Sequence, residues 1–140
     1  MTGFNGAVFV YGHADSGKTH TMQGFYDEKG IAQRAIDQIF KHVAANSSQT
    51  TKFRVRVSYV EIFQEKIRDL LGKNPDKNLT LQHSPKTGLP FAEGMSKCRI
   101  KSAEDMDKLR RRGDWKRSMH THELRRKRVR ECESEAFLCF

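Results

Sequence analysis

The stretch Gly12-His13-Ala14-Asp15-Ser16-Gly17-Lys18-Thr19 constrains this chain more than any other. It has the spacing of a phosphate-binding loop, GxxxxGKT. Backbone N–H groups in such a turn point into one concavity, where an anion is surrounded without side-chain bulk in the way. A helix that follows adds its positive dipole end and its unpaired N–H groups. Lys18 is then the expected point charge for the terminal phosphates, and the Thr19 hydroxyl the expected magnesium ligand. The neighbours agree: Ala7-Val8-Phe9-Val10-Tyr11 reads as a buried strand stopped by Gly12, and a short helix can continue from Thr19. Four fixed positions arise by accident in about one of 200 chains this long, so a merely tight turn is the weaker reading. Phosphate binding and hydrolysis are separate matters. Hydrolysis needs a water-positioning group and a second acidic site for magnesium. Asp15 and Glu61 lack the spacing of such groups and read as structural or solvated, so no catalytic residue is assigned.

The rest of the chain reads as further strands and helices. Gly24 to Gly30 is a polar loop, and Ile31, Ala35, Ile36, Ile39, Phe40 and Val43 recur at helical spacing over Gly30 to Ala45. Phe53 to Phe63 alternates and then turns apolar on both faces, a strand. Gln64 to Leu71 reads as a helical turn, and LTLQH with LPFAEGMSKCRI as a hairpin about SPKTG. Ser102 is expected to cap a helix with Glu104 and Asp105 in its first turn, which runs through Met106 and Leu109 to meet Gly113. Together these elements predict an α/β layered fold with a central β-sheet flanked by helices. One domain, or a piece of one, fits the length. No run of apolar residues is long enough for a membrane span, and Cys98, Cys132 and Cys139 have no metal-ligand spacing and read as free thiols.

The net charge of +9 is unevenly placed. Lys108 to Arg130 carries 11 basic residues against Asp114 and Glu123, which accounts for the whole excess, and the remainder is balanced. An argument for a partner from the overall charge therefore concerns this segment alone. From about Met119 the pattern loses its periodicity, and 119–140 reads as a divergent, poorly ordered basic tail.

Five blocks, GFNGAVFVYG with GHADSGKTHTM, GIAQRAIDQIF, VSYVEIFQEKIRDLL, GLPFAEGMSKCRIKSAEDMDKL and RRGDWKRS, resemble the kinesin motor domain in order and spacing across Gly3 to Ser118. The resemblance implies a partial motor domain over 1–118, an incomplete phosphate-loop NTPase fold. It implies ATP and Mg2+ as cofactors at Gly12, His13, Ala14, Asp15, Ser16, Gly17, Lys18, Thr19 and His20. His20 matches a position that packs against adenine, and Lys86, in the SPKTG turn, matches a basic contact to tubulin. It further implies microtubule-based movement, with the cytoplasm and cytoskeleton as location and no membrane partner. His13-Ala14 stand where the family has Gln-Thr, and Asp15 adds a negative charge near the phosphates, for which a modest loss of affinity is expected. The RxRP, SSRSH and DLAGSE-like segments of the family do not occur in this sequence. A microtubule-stimulated ATPase is the family's activity, and without both switch segments this chain is expected to bind nucleotide weakly and not to turn it over at motor rates. The competing reading is a non-catalytic basic module, RRRGDWKR with RRKRVR, for an acidic partner such as the microtubule surface; nucleic acid is the less favoured partner.

Overall fold

The computed structural model describes residues 6–13, 15–25, 27–74, 77–85, 88–126 and 135–139, the stretches 118–126 and 135–139 by backbone course alone. These form two compact units, one within Met1–Arg54 with Ser102–Glu104, the other Val55–Lys101 with Asp105–Phe140.

In the first unit the glycine turn at 12–17 leads into α1 (Lys18–Gln23). The polar loop holds a two-residue antiparallel ladder, β1 (Gly24–Phe25) with β2 (Glu28–Lys29), before α2 (Ile31–Asn46). Helix α2 buries Ile36 and half-buries Ala35, Ile39, Phe40 and Val43 of the stripe its spacing predicts, while Ile31 at its first position is exposed. Lys29 Nζ donates to Asp37 Oδ2 at 2.6 Å and Arg34 Nε to Lys29 O at 2.8 Å, which ties β2 to the first turns of α2. At the other end Ser47 donates both its N–H and its hydroxyl to Val43 O, at 3.0 and 2.6 Å.

The expected strand at Ala7–Tyr11 does not form. Phe9 is 77% and Tyr11 94% exposed, and no described segment pairs with this run. β propensity measures fit to a half-buried pleated surface, and a strand without a laddered neighbour gains little from it.

In the second unit β3 (Val55–Phe63) is the centre of a five-stranded sheet. Beside it run β4 (Lys66–Asp69) and β5 (Asn78–Leu79); β6 (Leu81–His83) and β7 (Pro90–Ala92) form a separate hairpin; and β8 (Cys98–Ile100) pairs with Val55–Val57. Helix α3 (Ala103–Arg126) and β9 (Glu135–Cys139) complete the order, β9 pairing with Ser58–Ile62. Every ladder among the described residues is antiparallel. Helix α3 thus runs past Ser118 to Arg126.

The helical turn expected at Gln64–Leu71 is a strand instead. Gln64 and Glu65 take φ of 48° and 60°, the left-handed pair of a type I′ turn. The chain therefore reverses, setting Ile67 opposite Ile62 and Arg68 opposite Glu61. Spacing of Phe63, Ile67, Leu70 and Leu71 mimics a helix, but cross-strand pairing with the buried β3 decides the outcome. The expected hairpin about SPKTG is present as β6–β7, closed by Ser84 N to Leu89 O at 2.9 Å.

Gly113 does not stop α3, because its lack of a side chain serves packing. A Cβ there would lie 2.3 Å from Tyr59 Cδ1, so the Tyr59 ring occupies the space a side chain would need. Tyr59 OH donates to Asp114 Oδ1 at 2.7 Å and locks ring to helix. Burial, with the Asp114 charge and hydrogen bond behind it, raises the Tyr59 phenol well above its ordinary range. Asp69 closes the other side: its carboxylate accepts Leu71 N at 2.9 Å and Ser96 N at 2.7 Å.

Candidate functional site

The loop from Gly12 to Thr19 is built by backbone conformation. Gly17 has φ of 89°, a left-handed value that a side chain would strain, and it leads directly into α1. At Gly12 a Cβ would meet Ser16 Oγ at 2.5 Å, so the hydroxyl occupies the space that glycine leaves. Asp15 takes φ of 61°, a region that Asp tolerates better than most residues. Ser16 N donates to His13 O at 3.3 Å and Thr21 N to Gly17 O at 2.9 Å, so the turn closes on itself at both ends.

Lys18 is the centre of this arrangement. Its Nζ donates to Gly12 O and to His13 O, both at 2.7 Å, which carries the ammonium back across the loop from the first residue of α1. Gly12, His13, Asp15, Ser16, Gly17, Thr19 and His20 are exposed and Lys18 is half-buried; Ala14 lies outside the described residues. The loop therefore brings Gly12, His13 and Lys18 together, with the Ser16 side chain against Gly12 and the Thr19 hydroxyl in the first turn beyond. His20 faces another way as well: its Nε2 is 3.6 Å from Glu28 Oε2, a contact that becomes an ion pair when the imidazole is protonated.

These donors fit a phosphate with its magnesium. An ammonium held over exposed backbone suits anionic oxygens. Magnesium is commonly held by one or two protein oxygens together with phosphate oxygens and water. Among the described residues no group of three or more His, Cys, Asp or Glu could form a metal cage. No helix among them is long and apolar enough to cross a membrane. Lys86 lies outside the described residues, but the β6–β7 turn that carries it is closed by Gly88 N to Ser84 O at 2.8 Å.

The basic run at the start of the charged segment is spent internally. Arg110 reaches Asp107 at 2.7 Å and Asp114 at 2.8 Å, and Arg111 reaches Asp107 at 2.8 Å. Burial alone would raise the Asp107 carboxyl, but hydrogen bonds and charge from Arg110 and Arg111 outweigh it and hold Asp107 below its ordinary range. Arg112 donates to Leu71 O at 3.5 Å, Lys116 to Gly72 O, and Arg117 Nε lies 3.5 Å from Glu61 Oε1. Burial and the adjacent Arg112 lower the Lys116 ammonium, against the pull of Asp69 and Cys98. Within RRRGDWKR, Arg110 and Arg111 therefore pair along α3 itself, and Arg112, Lys116 and Arg117 tie it to Leu71, Gly72 and Glu61. An unbroken basic face ready for an acidic partner is not what these residues form.

Glu61 gains a definite place that spacing alone could not give it. It is 2% exposed on β3, and its carboxylate lies between Arg117 and Arg68, whose Nη1 is 4.0 Å from Oε2. The one signal for this was a lone acid inside the apolar VSYVEIF.

With that geometry in hand, the likeness to known proteins has specific content. A family model described as the kinesin motor domain matches residues 1–131. The chain is 39% identical over 130 residues to the kinesin-like protein KIF3C of Pongo abelii and of Mus musculus, covering 89% of this chain and 16% of either relative. It is 37% identical over 122 residues to kinesin-related protein 1 of Dictyostelium discoideum, covering 84% of this chain and 6% of that one. This sequence thus spans about a sixth of the length of the first two relatives. Among solved structures, a fast kinesin superposes with a TM-score of 0.83 at 30% identity, over 96% of this chain and 38% of that one. A KIF14 dimer bound to a microtubule with AMP-PNP superposes with a TM-score of 0.69 at 29% identity, over 76% of this chain and 30% of that one.

Proposed function

This chain belongs to the kinesin motor-domain family and carries part of its layered α/β fold, and we propose that it holds ATP with magnesium at residues 12–20 as the nucleotide-binding portion of a microtubule motor. The observation that carries the proposal is the placement of the Lys18 ammonium 2.7 Å from two carbonyls of its own loop, in a turn whose Gly17 takes a left-handed φ of 89°. Terminal phosphates would take that ammonium as counter-charge in exchange for the carbonyls. The Thr19 hydroxyl would give magnesium one oxygen, and His20 would bound the adenine side. Bound ATP supplies the γ-phosphoryl group whose transfer drives a motor. The part of the work assigned to these residues is to bind and orient it.

Family membership favours this reading over the basic module, and the internal pairing of Arg110, Arg111, Lys116 and Arg117 weakens the module further. KIF14 has been seen with AMP-PNP or ADP on microtubules. In parallel, the β6–β7 hairpin with Lys86 is proposed as part of a track-facing surface, with the cytoskeleton in the cytoplasm as the site of action.

The role of Thr19 gives a test in which the metal is the variable. Binding of a fluorescent ATP analogue by the wild-type chain is expected to weaken about tenfold when EDTA replaces magnesium, the scale of one lost charge-assisted contact. Thr19→Ala in magnesium is expected to match wild type in EDTA. Equal affinity under all these conditions would remove Thr19 from the metal site.

A further inference from the structure

Arg56 and Arg99 stand directly opposite one another in the β3–β8 ladder. Paired residues across an antiparallel ladder share a face with Cβ atoms about 5 Å apart, and like charges so placed destabilise the sheet. Both are exposed, and alternation puts them on the face away from Tyr59 and α3. Lys97 and Lys101, also exposed, flank β8 at alternate positions from Arg99. Among the described residues none of these four side chains has an acidic partner. Asp105, the nearest acid after Lys101, gives its Oδ2 to the Lys101 backbone N–H at 2.9 Å.

Edge strands often carry Lys or Arg to discourage edge-to-edge pairing. That accounts for Arg99 on β8, which ends the strand order of its sheet. Edge guarding gives no reason for Arg56 to stand directly opposite Arg99, where the two like charges repel.

We propose that this edge docks an extended acidic segment of another polypeptide. Such a segment would add to the sheet beside β8, its backbone pairing with the outer edge and its acidic side chains, two residues apart, meeting Lys97, Arg99 and Lys101 on one face. Arg56 lies behind Arg99 and draws a carboxylate into the gap between the two guanidinium groups, converting a repulsion into a shared ion pair. The open ladder favours a polypeptide over a nucleic acid, since backbone N–H and C=O groups along an edge are satisfied by another backbone.

The test uses the full 140-residue chain and three probes: a labelled peptide alternating Glu with Thr, a peptide of the same composition with its Glu in one block, and single-stranded oligo-dT. The alternating peptide is expected to bind tightest, to weaken with salt, and to lose about tenfold in affinity with Arg99→Glu. The same substitution places a carboxylate opposite Arg56 and is expected to raise the melting temperature by roughly 2–4 °C, so that lost binding cannot be blamed on lost folding. Arg56→Glu is expected to do likewise. No binding of the alternating peptide, equal binding of the block peptide, affinity unmoved by either substitution, or tighter binding of oligo-dT through the same arginines would each overturn the proposal.

Discussion

Glu61→Gln is expected to destabilise the second unit by about 3 kcal/mol. Glu61 is 2% exposed, and its carboxylate is the counter-charge for Arg68 and Arg117, whose side chains are only 16% and 26% exposed. Removing one member of a buried set strands the charge that remains, which costs more than the set contributes. The geometry here is also loose: Glu61 Oε2 and Arg68 Nη1 are buried without a hydrogen-bond partner among the described residues. A loosely satisfied buried pair is a poor source of stability, so Glu61→Leu with Arg68→Leu together should recover most of what Glu61→Gln loses. Urea denaturation midpoints of the three chains measure both effects. A single substitution within 0.5 kcal/mol of wild type, about the scale of an unremarkable surface change, would show that Glu61 is not the counter-charge it is placed to be.

Gly113→Ala is expected to lower stability by about 1–3 kcal/mol although helix propensity alone favours Ala by about 1 kcal/mol. The two effects differ in sign, so the measurement decides between them. A methyl group there would fall 2.3 Å from Tyr59 Cδ1 and 2.6 Å from Cε1. The ring cannot simply move aside, because its hydroxyl is held by Asp114 Oδ1 at 2.7 Å. In a Tyr59→Leu background the same Gly113→Ala change should cost less, a coupling expected of residues in contact. Thermal melts of the four chains test it, and a rise in melting temperature for Gly113→Ala in the wild-type background would contradict the packing described.

What the sequence revealed and what it concealed follow from the range of the forces involved. The turn at Gly12–Thr19 was legible as a turn because its glycines act locally, as the left-handed φ of Gly17 shows. Helix α2 and strand β3 were legible because one face of each repeats at its own period. The strand expected at Ala7–Tyr11 failed because a strand is completed by a neighbour, which no described segment supplies. Gln64–Leu71 was misread because its apolar spacing suits a helix, whereas Ile62 and Glu61 across the ladder set its register. Gly113 looked like a helix end until the Tyr59 ring showed what the missing side chain makes room for. The same holds for the charge run: a count of arginines says nothing of Asp107, Asp114 and Glu61, which engage Arg110, Arg111 and Arg117.

The central claim is that the loop at Gly12–Thr19 holds terminal phosphates and that Lys18 is their counter-charge. Its most direct measurement compares ATP with AMP on the wild-type and Lys18→Ala chains in magnesium. A ligand recognised by its terminal phosphates should bind as ATP well ahead of AMP, and Lys18→Ala should remove about 2–3 kcal/mol of that preference, the scale of a charge-assisted hydrogen bond, while leaving AMP and the melting temperature nearly unchanged. Equal binding of ATP and AMP by the wild-type chain, or an ATP preference that survives Lys18→Ala, would contradict the account.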